Sequence, residues 1–174
     1  MGANANGPAP GRPHAPRYAA KLATAETALA RIAALPRPLV FTNGVFDVLH
    51  RGHVTYLDQA RALGAALVVA VNSDESVRQL GKGPDRPLNT LEDRMAVLAA
   101  LEAVDLVVPF ATDTPRALIV ACLPDVLVKG ADYTAETTAG AREVIAAGGR
   151  FVAIAFASPH STTAFLEKAR GYLR

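Results

Sequence analysis

The sequence predicts a single-domain α/β protein in which helices cover both faces of a doubly wound parallel sheet. Five short apolar runs alternate with segments of helical spacing, and this alternation is typical of parallel sheets. The runs contain no regular polar positions, as expected for strands that are covered on both faces. A length of 174 residues suits one domain, and a hydrophobic share of 51% is enough to build its core.

The elements follow one another in a simple order. Residues 1–17 are rich in Gly and Pro and are expected to form a flexible tail before a domain at 18–174. Apolar residues at helical spacing predict a helix over 18–35, which Pro36 and Pro38 end. The predicted strands are residues 39–43, 65–72, 105–110, 126–130 and 150–156. Further helices are predicted near 52–63, 74–80, 90–101, 114–122, 138–147 and 162–172. This order indicates a Rossmann-like sheet of five parallel strands.

Residues typical of helix ends support several of these boundaries. Thr90 is a candidate N-cap for the helix over 90–101, and Asp113 or Thr114 is a candidate for the helix that follows it. Gly148 stands where the helix over 138–147 should end. The second strand ends in three polar residues, Asn72, Ser73 and Asp74. A cap at the start of the next helix accounts for polar residues at this place.

Charge and cysteine content exclude several classes of protein. The chain has 18 basic and 16 acidic residues, and the excess lies at Arg12 and Arg17, so the domain is balanced. We therefore expect no nucleic-acid partner, because such proteins carry a basic surface. No apolar run reaches the roughly 18 residues that a membrane span needs. The single cysteine, Cys122, forms no intramolecular disulfide and fits a reducing compartment, so we expect a cytoplasmic protein.

The first strand runs into TNGVFDVLHRGH, residues 42–53, just before a helix begins. His50 and His53 stand three residues apart near helix amides that have no intrahelical acceptor. These amides, the positive end of the helix dipole and two imidazole donors suit a polyphosphate. Alternatively, His50 is only a helix cap and His53 a surface residue. A zinc site would lack its usual third protein ligand.

The segment FTNGVFDVLHRGHVTYLDQARALG resembles the HxGH nucleotidyltransferases of the cytidylyltransferase-like superfamily. Later segments are similar to the heptose 1-phosphate adenylyltransferases in order, over residues 36–172: VNSDESV, GKGPDRP, LEDRMAVLAALEAVDLVVPF, LVKGADY and STTAFLEKAR. The similarity is to the stand-alone form, which carries no sugar kinase. It implies that ATP and D-glycero-D-manno-heptose 1-phosphate react to give ADP-heptose for the lipopolysaccharide core. It also implies Mg²⁺ bridged mainly by phosphates, with no metal site built from protein residues, and a homo-oligomer.

The resemblance also implies roles for individual residues. The expected catalytic residues are His50, His53 and Lys82. The expected nucleotide-binding residues are Thr42, Asn43, Gly44, Phe46, Gly52, Lys129, Gly130, Ser161, Thr162 and Thr163. The expected substrate-binding residues are Asp47, Arg86, Asp132 and Tyr133. Simpler alternatives stay open: a solvated loop around Lys82, a strand end at Lys129 and a helix cap at Ser161.

The expected reaction is attack of the sugar phosphate on the α-phosphorus of ATP. The sequence has no GxxxxGK[ST] or GxSxG motif, which excludes P-loop phosphoryl transfer and α/β-hydrolase chemistry. One rival is a cytidylyltransferase that acts on glycerol phosphate, although Arg and Gly are missing before STT. Another is a non-catalytic nucleotide-binding module. Arg94 is either an ion-paired support or a phosphate ligand, and His160 has no assigned role.

Overall fold

A computed structural model describes residues 15–81 and 86–155. Its strands are β1 (Leu39–Gly44), β2 (Ala66–Asn72), β3 (Leu106–Phe110), β4 (Val126–Gly130) and β5 (Arg150–Ile154). Its helices are α1 (Ala28–Ala33), α2 (Arg51–Arg61), α3 (Asp74–Gln79), α4 (Leu91–Ala99), α5 (Arg116–Cys122) and α6 (Ala141–Ala146). None of these helices is long and apolar enough to cross a bilayer. The predicted tail up to residue 14, Lys82 and the predicted last helix lie outside the described residues.

The five strands form one parallel sheet in the order β3-β2-β1-β4-β5, which confirms the predicted doubly wound arrangement. β1 pairs with β2 from Leu39 opposite Ala66 to Gly44 opposite Val71, and with β4 on its other side. The chain moves outward from β1 to β3 and then crosses back to β4, so the strand order reverses between β1 and β4. In such sheets ligands bind beyond the carboxyl ends of the strands at this reversal point.

Apolar side chains fill a core on each face of the sheet. On one face, strand residues such as Val40 and Val69 pack against α2 and α4. On the other face, residues such as Phe41 and Val68 pack against α1, α5 and α6. All residues of β2 are buried, because this strand lies inside the sheet and both of its faces are covered. This explains why the strands read as continuous apolar runs.

The predicted continuous helix over 18–35 is wrong. A 3₁₀ helix spans Arg17–Lys21, and the chain then straightens, so that α1 begins only at Ala28. The straight part runs beside the edge strand β3: Leu22 forms a parallel bridge with Val107, and the N–H of Ala23 donates to the Val107 carbonyl at 3.0 Å. Hydrogen bonding to an otherwise open sheet edge therefore outweighs the local helical spacing.

The predicted helix ends are partly confirmed. Thr90 caps α4 by accepting the N–H of Asp93, and Gly148 follows α6 with a φ of 89°. The predicted cap of α5 by Asp113 or Thr114 is wrong, because Pro115 precedes this helix and no side chain caps it. The proline supplies a backbone angle suited to a helix start without such a bond.

Candidate active site

The end of β1 is closely packed. A Cβ on Gly44 would lie 3.0 Å from the ring of Phe46, so a side chain would push this ring aside. The hydroxyl of Thr42 is fully buried and shares a 2.7 Å hydrogen bond with the hydroxyl of Tyr56 on α2. The Thr42 hydroxyl therefore joins β1 to α2 inside the core, and a contact between Thr42 and a nucleotide stays a prediction.

His50 and His53 lie together at the start of α2. Their ring centroids are 4.0 Å apart with 31° between the ring planes. His50 is the N-cap residue, and its Nδ1 accepts the N–H of Gly52 at 3.1 Å. Since Nδ1 accepts this bond, the proton of neutral His50 is on Nε2, which makes that atom a donor. The cap alternative is thus correct for His50 and compatible with a role in binding. The amide of Gly52 donates to His50, and contact of Gly52 with a nucleotide stays a prediction.

His53 is enclosed by its neighbours. The Phe46 ring meets it edge-on, with centroids 5.4 Å apart and 66° between the ring planes. Burial, and secondly the nearby His50 imidazole, lower the pKa of His53 to about 4. At neutral pH His53 is therefore an uncharged hydrogen-bond donor, not an imidazolium.

The lowered pKa of His53 predicts a pH dependence of stability. Below pH 6.5, the ordinary value, the unfolded chain binds a proton at this imidazole, whereas the folded chain does so only near pH 4. We expect the free energy of unfolding to fall as the pH drops from about 6.5 to about 4. Urea unfolding at pH 7 and pH 5 measures this difference. The His53→Gln variant should show a smaller decrease, and an equal decrease in both proteins would contradict the assignment.

Asp47 and Arg86, both expected to bind substrate, form an ion pair with each other. Nε of Arg86 lies 2.9 Å from Oδ2 of Asp47, and the side chains are 11% and 1% exposed. The Asp47 carboxylate also accepts the N–H groups of Leu88 at 2.9 Å and Asn89 at 3.0 Å. The oxygens of Asp47 thus hold the segment over 86–89, and binding of substrate by Asp47 stays a prediction.

Arg94 is a buried structural support. Its side chain is 1% exposed. Its guanidinium donates to the carbonyls of Val45 and Asn72, both at 2.8 Å, and pairs with Asp74 at 2.6 Å. A fourth bond, from Nε to the Asn89 carbonyl, measures 3.1 Å. Of the two alternatives left by the sequence, ion-paired support is the one that the structure favours.

A polar cleft of about 250 Å³ opens between the ends of β1, β2 and β4 and the loops before α5 and α6. Nζ of Lys129 donates to the carbonyl and side-chain oxygens of Asn43, at 3.2 and 3.1 Å, and lies 4.6 Å from the centre of the Tyr133 ring. His50 and His53 do not line this cleft. The lining residues are Asn43, Gly44, Val45, Asn72, Leu80, Asp113, Thr114, Pro115, Lys129, Tyr133, Thr137, Thr138 and Ala139.

Sequence reasoning identified only part of the cleft. Thr137 and Thr138 line it but were not predicted, although the polar run TAETTAG after β4 is a usable signal. Asp132 is exposed, and Gly130 ends β4 as predicted. Ser161, Thr162, Thr163 and His160 lie outside the described residues.

The fold and the site together define a class: an α/β nucleotidyltransferase domain with paired imidazoles beyond its first strand. Comparison with known proteins agrees with this class. The family model described as Cytidylyltransferase-like matches residues 41–165, and the chain belongs to this family.

Three relatives illustrate the family. The chain is 59% identical to the D-beta-D-heptose 1-phosphate adenylyltransferase of Bordetella bronchiseptica, with 88% of this chain and 96% of that protein covered. It is 57% identical to the bifunctional protein HldE of Vibrio cholerae over 76% of this chain but only 28% of that longer protein. The crystal structure of a lipopolysaccharide core biosynthesis protein from Thermoplasma volcanium has a TM-score of 0.59 at 29% identity, with 69% of this chain and 98% of that chain covered.

Proposed function

We propose that this chain joins ATP and D-glycero-D-manno-heptose 1-phosphate to form ADP-heptose and pyrophosphate. One observation carries the proposal. Two imidazoles with ring centroids 4.0 Å apart lie at the start of α2, directly after β1, and the strand order of the sheet reverses beside β1. The name of the Bordetella relative, 59% identical, supports heptose 1-phosphate as the sugar substrate.

The proposed reaction is a direct displacement at the α-phosphorus of ATP. An oxygen of the sugar phosphate forms a new bond to this phosphorus, and the bond to the bridging oxygen of pyrophosphate breaks. The electron pair of that bond leaves with pyrophosphate. Since the second pKa of a phosphate is about 6, the attacking oxygen is already deprotonated at neutral pH. The protein therefore has to orient and stabilise charge and does not need to remove a proton.

His50 and His53 would stabilise the charge that builds on the phosphate oxygens. Nε2 of His50 is a donor because Nδ1 accepts the Gly52 amide. His53 is neutral at pH 7, because its pKa is about 4, and contributes a hydrogen bond without a full charge. Both lie at the positive end of α2, which favours negative charge.

The polar cleft is the proposed site for the sugar phosphate. Lys129, which the sequence assigned to the nucleotide, lines this cleft, and its ammonium group is the proposed contact for the sugar phosphate. Asp113 and Thr114 are exposed in its lining and offer hydrogen-bonding groups to a polyhydroxyl chain. The cleft lies at the reversal point between β1 and β4, where ligands bind in sheets of this kind.

Mg²⁺ is the proposed cofactor, and it would enter with ATP. Within residues 15–81 and 86–155 no group of three or more His, Cys, Asp or Glu side chains could hold a metal ion. The Asp47 carboxylate is occupied by the segment over 86–89. Phosphate oxygens and water are therefore its proposed ligands, and when bound the ion neutralises phosphate charge.

The proposed product is a precursor for the lipopolysaccharide core, in line with the name of the Thermoplasma relative. Because ATP is the proposed substrate, the proposed location is the cytoplasm. A homo-oligomer remains a proposal from likeness to the family, and light scattering on the purified chain measures it.

Pyrophosphate release tests the substrate assignment. We expect release with ATP and heptose 1-phosphate, and at least about tenfold less when CTP replaces ATP. Both anomers of the sugar phosphate should be compared, with glycerol 3-phosphate as the control acceptor.

Three results of this assay would contradict the proposal. A preference for CTP would identify a cytidylyltransferase, and a preference for glycerol 3-phosphate would replace the sugar substrate. Binding of ATP without turnover of any acceptor would indicate a non-catalytic module.

A further inference from the structure

The backbone of Phe46 adopts a conformation that is rare for a bulky residue. Its φ is 49°, in the left-handed region that favours glycine, and the residue is only 8% exposed. Such a conformation persists only where the surroundings impose it, and it concentrates at functional sites. Phe46 was expected to bind nucleotide, but its buried ring contacts another part of the site.

The residues before and after Phe46 are both held by the segment over 88–94. Before it, the Val45 carbonyl accepts a 2.8 Å hydrogen bond from Arg94 on α4. After it, the Asp47 carboxylate accepts the N–H groups of Leu88 and Asn89. These hydrogen bonds hold the backbone on both sides of residue 46 and therefore favour its φ of 49°.

The two anchors are also joined to each other. Arg94 donates to the carbonyl of Asn89, and the side-chain amide of Asn89 donates to the carbonyl of Asp47. The loop after β1 is thus fixed to the segment that leads into α4. We use the term clamp for Asp47, Asn89 and Arg94 together with these hydrogen bonds.

The clamp directs the Phe46 ring at His53. The ring meets the imidazole edge-on with centroids 5.4 Å apart, and His50 lies against the imidazole with centroids 4.0 Å apart. On the side of β1, a Cβ on Gly44 would lie 3.0 Å from the Phe46 ring, so a side chain at residue 44 would crowd the ring in this position. The ring therefore contributes to the burial of His53.

We propose that Phe46 is a positioning residue for His53: the clamp fixes its backbone, and its ring orients the imidazole and shields it from water. The proposal rests on the proposed function only in giving His53 a role in catalysis. The physical effect on His53 can be measured without substrate. Burial is the larger cause of the lowered pKa of His53, so loss of the ring should raise that pKa.

The test is an NMR titration of the histidine side chains in the full chain. In the unaltered protein His53 should titrate near pH 4. In Phe46→Ala its pKa should rise from about 4 toward 6.5, its ordinary value. Phe46→Leu keeps an apolar side chain and should give a smaller rise in the same direction, which makes the test independent of whether the alanine variant folds.

Two further variants separate the clamp from a general loss of stability. Arg94→Lys keeps the positive charge but cannot serve all the acceptors of the guanidinium, and it should also raise the pKa of His53. Phe110→Ala is the matched control, because Phe110 is likewise 8% exposed but lies in the core on the other face of the sheet. This control should leave the His53 titration unchanged.

Kinetics provide the second measurement. If adenylyl transfer is confirmed, Phe46→Leu should lower kcat about tenfold and change KM for ATP less than threefold, since the alignment of His53 acts mainly in the transition state. An unchanged His53 pKa in both Phe46 variants would overturn the proposal whatever the enzyme's substrates are. A raised pKa with no adenylyl transfer would overturn the proposed function and leave the positioning of His53 supported.

Discussion

We expect His53→Ala to lower kcat for ADP-heptose formation about 100- to 1,000-fold, the usual cost of losing one preorganised donor to a developing charge. His53 is only partly buried, at the solvent-facing start of α2, so the fold should persist. Steady-state kinetics with ATP and heptose 1-phosphate measure the loss, and far-UV circular dichroism checks the fold. Normal turnover in this variant would refute the role of His53.

His50 allows a matched pair of variants, because it both caps α2 and belongs to the imidazole pair. Asn is among the best N-cap residues, so His50→Asn should keep the bond to the Gly52 amide and lose only the imidazole. His50→Ala loses both and should also cost about 1 kcal/mol of stability. Both variants should lower kcat, and only the alanine variant should lower the unfolding midpoint. If the asparagine variant kept full activity, His50 would be a cap alone.

We expect Arg94→Met to lower the free energy of unfolding by about 3 kcal/mol, because it leaves backbone carbonyls without their charged hydrogen-bond donor. Methionine fills similar space, so the loss measures the hydrogen bonds more than the volume. The carbonyls of Val45 and Asn72 would lose a buried donor, and Asp74 would lose its partner.

Urea unfolding and the thermal midpoint measure this loss. A change of this size corresponds to roughly 6 to 12 °C in the midpoint for a chain of this length. Arg78→Ala is the control, because Arg78 is exposed on α3 and should change stability by less than about 0.5 kcal/mol. If both variants unfolded alike, Arg94 would not be the support that the geometry indicates.

The strands were predictable from the sequence, because burial on both faces demands apolar residues at every position of a central strand. The runs over 39–43 and 126–130 match β1 and β4 to within one residue. The helix over 18–35 was not predictable, because Leu22 and Ala23 follow helical spacing but hydrogen-bond to the edge strand β3. A partner that is distant in sequence leaves no local pattern.

In the candidate site, too, some features could be predicted from the sequence and others only from the structure. The spacing of His50 and His53 on a helix start was enough to bring the two imidazoles together, because neighbouring helical positions set that geometry. Asp47 and Arg86 were both predicted to bind substrate, and only the structure pairs them with each other. Their charges suited a phosphate as well as each other, so residue type alone could not distinguish the two arrangements.

The sequence by itself determined the α/β class and the position of the histidine pair, since these depend on periodicity and spacing within one stretch of chain. Its resemblance to known motifs indicated the family. Tertiary structure decided which charged groups are paired with other groups of the protein. It also decided that Arg94 supports the loop after β1 and that the pKa of His53 falls to about 4. These properties depend on burial and on partners up to 49 residues away in the chain. The local sequence does not reveal these properties, because desolvation and ion pairing depend on which groups the fold brings together.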